Sequence, residues 1–290
     1  MPKMQDKGKT TENASKKGRK NNIHFLKTDA SKRNDVEYRR TDAEYKAIID
    51  KLQKDKNNKN FFHHRGRTIL AEIPSFNLVD DVVVDVMHLY YNIVKALMLK
   101  YIGPRGRLVK DDRLFVATRL EELERPSEFA CKPRQFFKLS SWKATELRQF
   151  ILYTGVVVLR GYLPAAEYLN FSSLCIIFRL LNDDRFYEDS SSLPKYVEDL
   201  IKHFLAGCVS LYGPEFVTHT VHILLHLPRD CLRFGKPEKF SCFPFEDMNY
   251  KLTNAIVSGK KPVEQMRNRY EEAIFSGLLS DTTTLDPQSR

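Results

Sequence analysis

Val82-Val83-Val84-Asp85-Val86-Met87-His88 runs directly into Leu89-Tyr90-Tyr91-Asn92-Ile93-Val94-Lys95-Ala96-Leu97-Met98. A short β-branched run ends on an acid, and an apolar pattern of helical period follows. The run predicts a short buried strand over 82–84. The pattern predicts a helix from about Met87 to Ile102, stopped by Gly103-Pro104. An acid at the tip of a strand, beside a helix start, is a common place for a nuclease metal ligand. The stretch therefore predicts at least two further carboxylates elsewhere, and the sequence supplies one of them clearly.

Outward from this stretch the chain reads as mainly helical. Toward the N-terminus, residues 36–57 predict an exposed helix, with Thr41 as N-cap and Tyr45, Ile48, Ile49 and Leu52 on one face. Toward the C-terminus, residues 103–135 are charged and read as irregular. Ser140 or Ser141 is placed to cap a helix through Trp142 to about Arg160. Ala165–Leu181 is nearly apolar throughout, which predicts a buried helix. After a polar loop over 182–192, Leu193, Val197, Leu200, Ile201, Phe204, Leu205 and Cys208 recur at helical spacing up to Gly213-Pro214. Helices are predicted over Glu215–Leu227, ended by Pro228, over Glu246–Val257, and over Pro262–Leu279 with Pro262 in the first turn. Residues 229–244 read as loop or short strand. The resulting organisation is a polar tail (1–35), an exposed helix and linker (36–58), one large domain (60–280) and a polar end (281–290).

The 290 residues carry a net charge of +10, and the charge is unevenly placed. Residues 1–60 hold 17 Lys and Arg against 9 Asp and Glu, whereas the remaining 230 hold 30 against 28. Basicity is thus a property of the N-terminal segment. Residues 1–35 are Lys-rich and poor in apolar side chains, a composition that predicts disorder. Lys16, Lys17, Arg19 and Lys20, with Arg39 and Arg40, are candidates for contacts to DNA phosphates, and the first cluster also suits a nuclear address. A solvated, solubilising tail is the alternative. No C-x-x-C joins any of the five cysteines, Cys131, Cys175, Cys208, Cys231 and Cys242, so neither a disulfide framework nor a Cys-based zinc site is expected, and a reducing compartment fits. No apolar signal region opens the chain. Uncharged runs such as Gln149–Leu159 fall far short of the roughly 18 residues of a membrane span.

Three places carry candidate chemistry. Asp85 and His88, at i and i+3, can face one ion, with the acid suited to Mg²⁺ or Mn²⁺; alternatively Asp85 is an N-cap and His88 a core residue. His219, His222 and His226 share a helix face, and His222 with His226 at i and i+4 can bind a transition metal; buried histidines bonded to backbone are the alternative. Phe243-Pro244-Phe245-Glu246-Asp247 sets a carboxylate after a rigid aromatic anchor, and a favourable acid at a helix N-terminus explains it equally. Phosphate-binding Gly-rich loops and the G-x-S-x-G elbow are absent, so nucleotide-triphosphatase, dinucleotide-binding and serine-hydrolase classes have no local support.

Taken in order, the motifs resemble a known family. They are Val84-Asp85-x-Met87-His88, Lys132-Pro133-Arg134, Trp142-Lys143-Ala144-Thr145-Glu146-x-Arg148, Leu152-Tyr153, Leu211-Tyr212-Gly213, Val221-His222-x-Leu224-Leu225-His226-Leu227 and Phe243-Pro244-Phe245-Glu246. The series resembles the C-terminal half of transposases of CACTA-type (En/Spm-like) cut-and-paste elements, over roughly residues 60–275. That resemblance implies a DDE/D enzyme with a ribonuclease-H-like α/β core, here partial, interrupted by a helical insertion at about 136–227. It implies Asp85 as the second catalytic acid and Glu246 as the third, both holding Mg²⁺ or Mn²⁺, and His222 with His226 at a structural Zn²⁺ site. The first acid of the triad has no counterpart upstream of Asp85. The expectation is therefore a truncated or domesticated transposase-derived protein, nuclear, without catalysis of its own. It would associate weakly with DNA through phosphate contacts and have no membrane association, with a second copy or a transposase chain as a possible partner. An active nuclease completed by another acid (Asp80 or Asp81) or by another chain is one alternative. A non-catalytic protein-interaction module is the other.

Overall fold

The computed structural model describes residues 41–54, 68–103 and 106–277. The tail, its phosphate-contact candidates Lys16, Lys17, Arg19, Lys20, Arg39 and Arg40, and the polar end lie outside the described residues. Within them the chain is helical, and no strand occurs.

Helix α1 (Asp42–Lys54) starts where Thr41 was expected to cap it. The Glu44 N–H donates to Thr41 Oγ1 at 3.3 Å and the Thr41 N–H donates to Glu44 Oε2 at 2.7 Å, a reciprocal pair that satisfies two backbone donors. Residues 82–84 do not form the expected strand. They run as irregular chain into a continuous helical segment made of α2 (Val86–Leu89), a π-turn (Tyr90–Val94) and α3 (Lys95–Ile102). The β-branched run lacks a partner strand, so its backbone groups are met one at a time: the Val84 N–H donates to the buried Asp230 carboxylate at 2.9 Å.

The charged stretch expected to be irregular contains α4 (Lys110–Glu122), whose buried side is Val116, Ala117 and Leu120. Three apolar contacts suffice to dock it, and the dense charge around them hides the period. The next helix starts at α5 (Ala144–Gln149), later than a Ser140 or Ser141 cap would place it. Ser140 and Ser141 instead close a 3₁₀ turn, Phe136–Ser141, and Glu146 reaches back to accept the Lys143 N–H at 2.6 Å. The same carboxylate accepts the Arg134 N–H at 2.8 Å, so the Lys-Pro-Arg and Trp-Lys-Ala-Thr-Glu motifs are joined through one side chain. A second π-turn, Phe150–Thr154, leads into α6 (Gly155–Val158). Side chains cover carbonyls next to this break in the helical ladder: Arg179 Nε donates to Leu152 O at 2.7 Å and Tyr168 Oη to Val156 O at 3.0 Å.

The two π-turn helices pack on each other and on the centre of the molecule, α7 (Ala165–Leu181) against α8 (Leu193–Tyr212). Phe171, Phe178 and Phe204 are fully buried there, and Tyr90 meets Phe178 with ring centroids 4.6 Å apart. Apolar surface of this extent is the main favourable term in folding. After α8 the single helix expected over Glu215–Leu227 is broken into a 3₁₀ turn at Pro214–Phe216, α9 (His219–His222), a second 3₁₀ turn at Ile223–His226, and α10 (Leu227–Phe234). Pro228 does not end a helix; it lies in the first turn of α10, where its missing N–H costs no bond. Residues 229–234, expected as loop or strand, are therefore helical. Helices α11 (Phe243–Asn254) and α12 (Pro262–Phe275) complete the described chain and bury no residue. Phe245, Tyr250, Val263 and Phe275 are exposed on them. No helix among the described residues is long and apolar enough to cross a membrane.

Candidate functional site

Asp85 sits where irregular chain becomes helix, and its carboxylate is oriented by backbone donors. Oδ1 accepts the Met87 N–H at 3.2 Å and Oδ2 the His88 N–H at 3.1 Å, so Asp85 is the N-cap of α2. The expectation of a cap is met; the companion expectation of a core histidine is not. His88 is exposed, and its Nδ1 contacts Asp85 Oδ2.

The third contact comes from the far end of the chain. Gly235, at φ +91°, ends α10 in a conformation that favours glycine, and the chain turns back. A 3₁₀ turn at Pro237–Phe240 then packs against α2, and Glu238 pairs with Arg148 of α5. This delivers Cys242, the residue before α11, to Asp85: its N–H donates to Asp85 Oδ1 at 2.9 Å across 157 positions of sequence. Ligand atoms of Asp85, His88 and Cys242 all lie within 4.8 Å of one another. Glu246 follows one turn along α11, its N–H on Cys242 O at 2.9 Å, and its side chain is exposed.

The electrostatics follow from this packing. Burial pushes Asp85 toward protonation, but the N–H groups of Cys242, His88 and Met87 and the His88 ring together outweigh it, so the carboxyl is held below the usual Asp range. The Cys242 thiol is pushed up, first by burial, then by the neighbouring Asp85 carboxylate and the charge of Glu246. Both acids thus act on one thiol.

The segment ahead of Asp85 is pinned from α10. Asp80 pairs with Arg229 at 2.8 Å, and Asp81 pairs with Arg233 while accepting the Asn77 N–H at 2.7 Å. These two acids, named as stand-ins for the missing first acid, serve as clamps. His222 and His226 do come together, with ring centroids 5.6 Å apart and nearly perpendicular, and burial holds His222 below its ordinary value, with His219 adding to the effect. Among the described residues they join no group of three possible ligands like the one at Asp85. Cys242 is the site residue that sequence reasoning missed. Its one local signal was its position four residues before Glu246, and cysteine pairing rules do not see a thiol whose partners are an acid and a histidine.

No protein-family model matches this chain, and neither a curated protein nor a solved structure does.

Proposed function

We propose that the chain is a transposase-derived protein of the DDE/D type that associates with DNA and does not cut it unaided. One observation supports this reading: the Cys242 N–H, one helical turn before Glu246, donates to Asp85 Oδ1 across 157 positions, so the two segments singled out by the motif order meet.

Two-metal phosphodiester chemistry requires several carboxylates around a pair of hard cations. The group at Asp85 offers one carboxylate, one imidazole and one thiol, with a second carboxylate beside it. That donor set does not fit a pair of Mg²⁺ ions, and no strand among the described residues supplies the sheet of a ribonuclease-H-like core. Catalysis would need a further acid, or a core completed by another chain.

The test is retention of double-stranded DNA by the full chain across a salt series. Weak, sequence-independent binding that falls by orders of magnitude between about 50 and 200 mM salt is expected for phosphate contacts. Affinity unchanged over that range would refute DNA association by this means. Plasmid nicking with Mn²⁺ should be absent; nicking that Asp85→Ala abolishes would establish an active nuclease instead.

A further inference from the structure

We infer that Asp85, His88 and Cys242 bind one thiophilic divalent cation of the zinc class. The inference rests on the reading above only in placing Asp85 at the heart of the site; its chemistry comes from the donors themselves.

Three features of the structure support it. The first is the donor set. A thiolate and an imidazole with one carboxylate oxygen select Zn²⁺ over Mg²⁺, which prefers oxygen ligands in near-octahedral array. The second is an exchangeable contact on Asp85. An ionised carboxylate has about four acceptor positions. Oδ1 receives the N–H groups of Met87 and Cys242, and Oδ2 that of His88. The remaining position on Oδ2 points to His88 Nδ1. A cation placed there replaces the direct Asp85–His88 contact and leaves all three backbone bonds intact. The third is preorganisation. The bond from the Cys242 N–H fixes the thiol-bearing residue against the carboxylate, as a ligand shell requires.

Zinc bonds of about 2.0–2.3 Å place tetrahedral ligands roughly 3.3–3.8 Å apart. The three donor atoms already lie within 4.8 Å of one another, and the exposed His88 ring has room to move off the Asp85 oxygen so that the ion enters between them. The fourth ligand is water or the exposed Glu246 carboxylate, one helical turn after Cys242. Binding releases the thiol proton to solvent.

Cobalt(II) is the probe. The full chain, stripped with chelator, should take up one equivalent and show both tetrahedral cobalt absorption and a sulfur-to-cobalt charge-transfer band. Zn²⁺ should displace it, and excess Mg²⁺ should not. Cys242→Ser should remove the charge-transfer band and weaken cobalt binding roughly tenfold or more. His88→Ala, at an exposed position, should weaken binding while the band persists at saturating cobalt. Cys131→Ser, at an exposed cysteine elsewhere, should change nothing, and far-ultraviolet circular dichroism confirms that each variant is folded. No charge-transfer band in the wild type, a band that survives Cys242→Ser, or displacement by Mg²⁺ as effective as by Zn²⁺ would overturn the inference. DNA retention measured on the same preparations separates the two readings. A cobalt band without DNA binding removes the functional proposal alone; DNA binding without the band removes the cation site alone.

Discussion

Replacing Asp85 by Ala removes the acceptor for three backbone N–H groups, those of Met87, His88 and Cys242. Loss of an N-cap costs about 1 kcal/mol. A hydrogen bond to a charged group contributes about 1.5–3 kcal/mol, and the low end applies to the Cys242 bond because the Asp85 side chain retains 18% exposure, so water replaces part of what is lost. The expected destabilisation is therefore about 2–3 kcal/mol. For a domain of this size that lowers the melting temperature by roughly 5–10 °C. Thermal and urea unfolding, followed by far-ultraviolet circular dichroism, measure it. Asp85→Asn should recover part of the loss, since Asn caps a helix as well as Asp but turns an N–H₂ group toward the His88 N–H. The pH dependence has a definite sign. The folded carboxyl titrates below the ordinary Asp value of about 3.9, so its contribution is complete above that value and is lost as pH falls through the lower folded one. The stability gap between wild type and Asp85→Ala should accordingly narrow below about pH 4. A loss under about 0.5 kcal/mol, the range of ordinary surface substitutions, would refute the argument that Asp85 ties α2 to the start of α11.

Two further outcomes test the helical core. Gly207 on α8 faces Asn170 on α7 so closely that an added Cβ would overlap the Asn170 amide, which itself donates to Phe204 O at 2.9 Å in the buried interface. Gly207→Ala should cost about 1–3 kcal/mol in urea unfolding, and unchanged stability would show that the helices separate without penalty. Trp142, the single tryptophan, is 2% exposed and meets Phe136 and Phe150 edge-on at 6.5 and 5.6 Å. Trp142→Phe should leave the fold intact, whereas Trp142→Ala should lose about 3–5 kcal/mol. Intrinsic fluorescence of the wild type should shift to the red in step with unfolding seen by circular dichroism.

The long apolar helices were legible because their period is local. Leu193 to Cys208 recur on one face, and α8 buries that face. Thr41 announced its cap, and the structure adds the reciprocal bond from Glu44 three residues on. Legibility failed where a local signal had two physical meanings. Val82–Val84 has the composition of a strand, but a strand needs a partner, and the Val84 N–H donates instead to the Asp230 carboxylate, 146 positions away. Pro228 reads as a stop and acts as a start, since proline is tolerated in a first turn. The charged residues 110–122 hide a helix because three buried side chains are too few to set a visible period.

The sequence by itself determined the helical class and the separation of a basic N-terminal segment from a nearly neutral domain. These follow from composition and period, which are properties of neighbours along the chain. Only the tertiary structure decided that Asp85 is a helix cap, that Asp80 and Asp81 are clamps held by α10, and that Cys242 belongs with Asp85 and His88. Those facts depend on the turn at Gly235 and on the packing of Pro237–Phe240 against α2, which bring together residues 157 positions apart. A donor set assembled across such a distance leaves no periodic trace, because nothing in the local spacing of its members reports which of them will share a point in space.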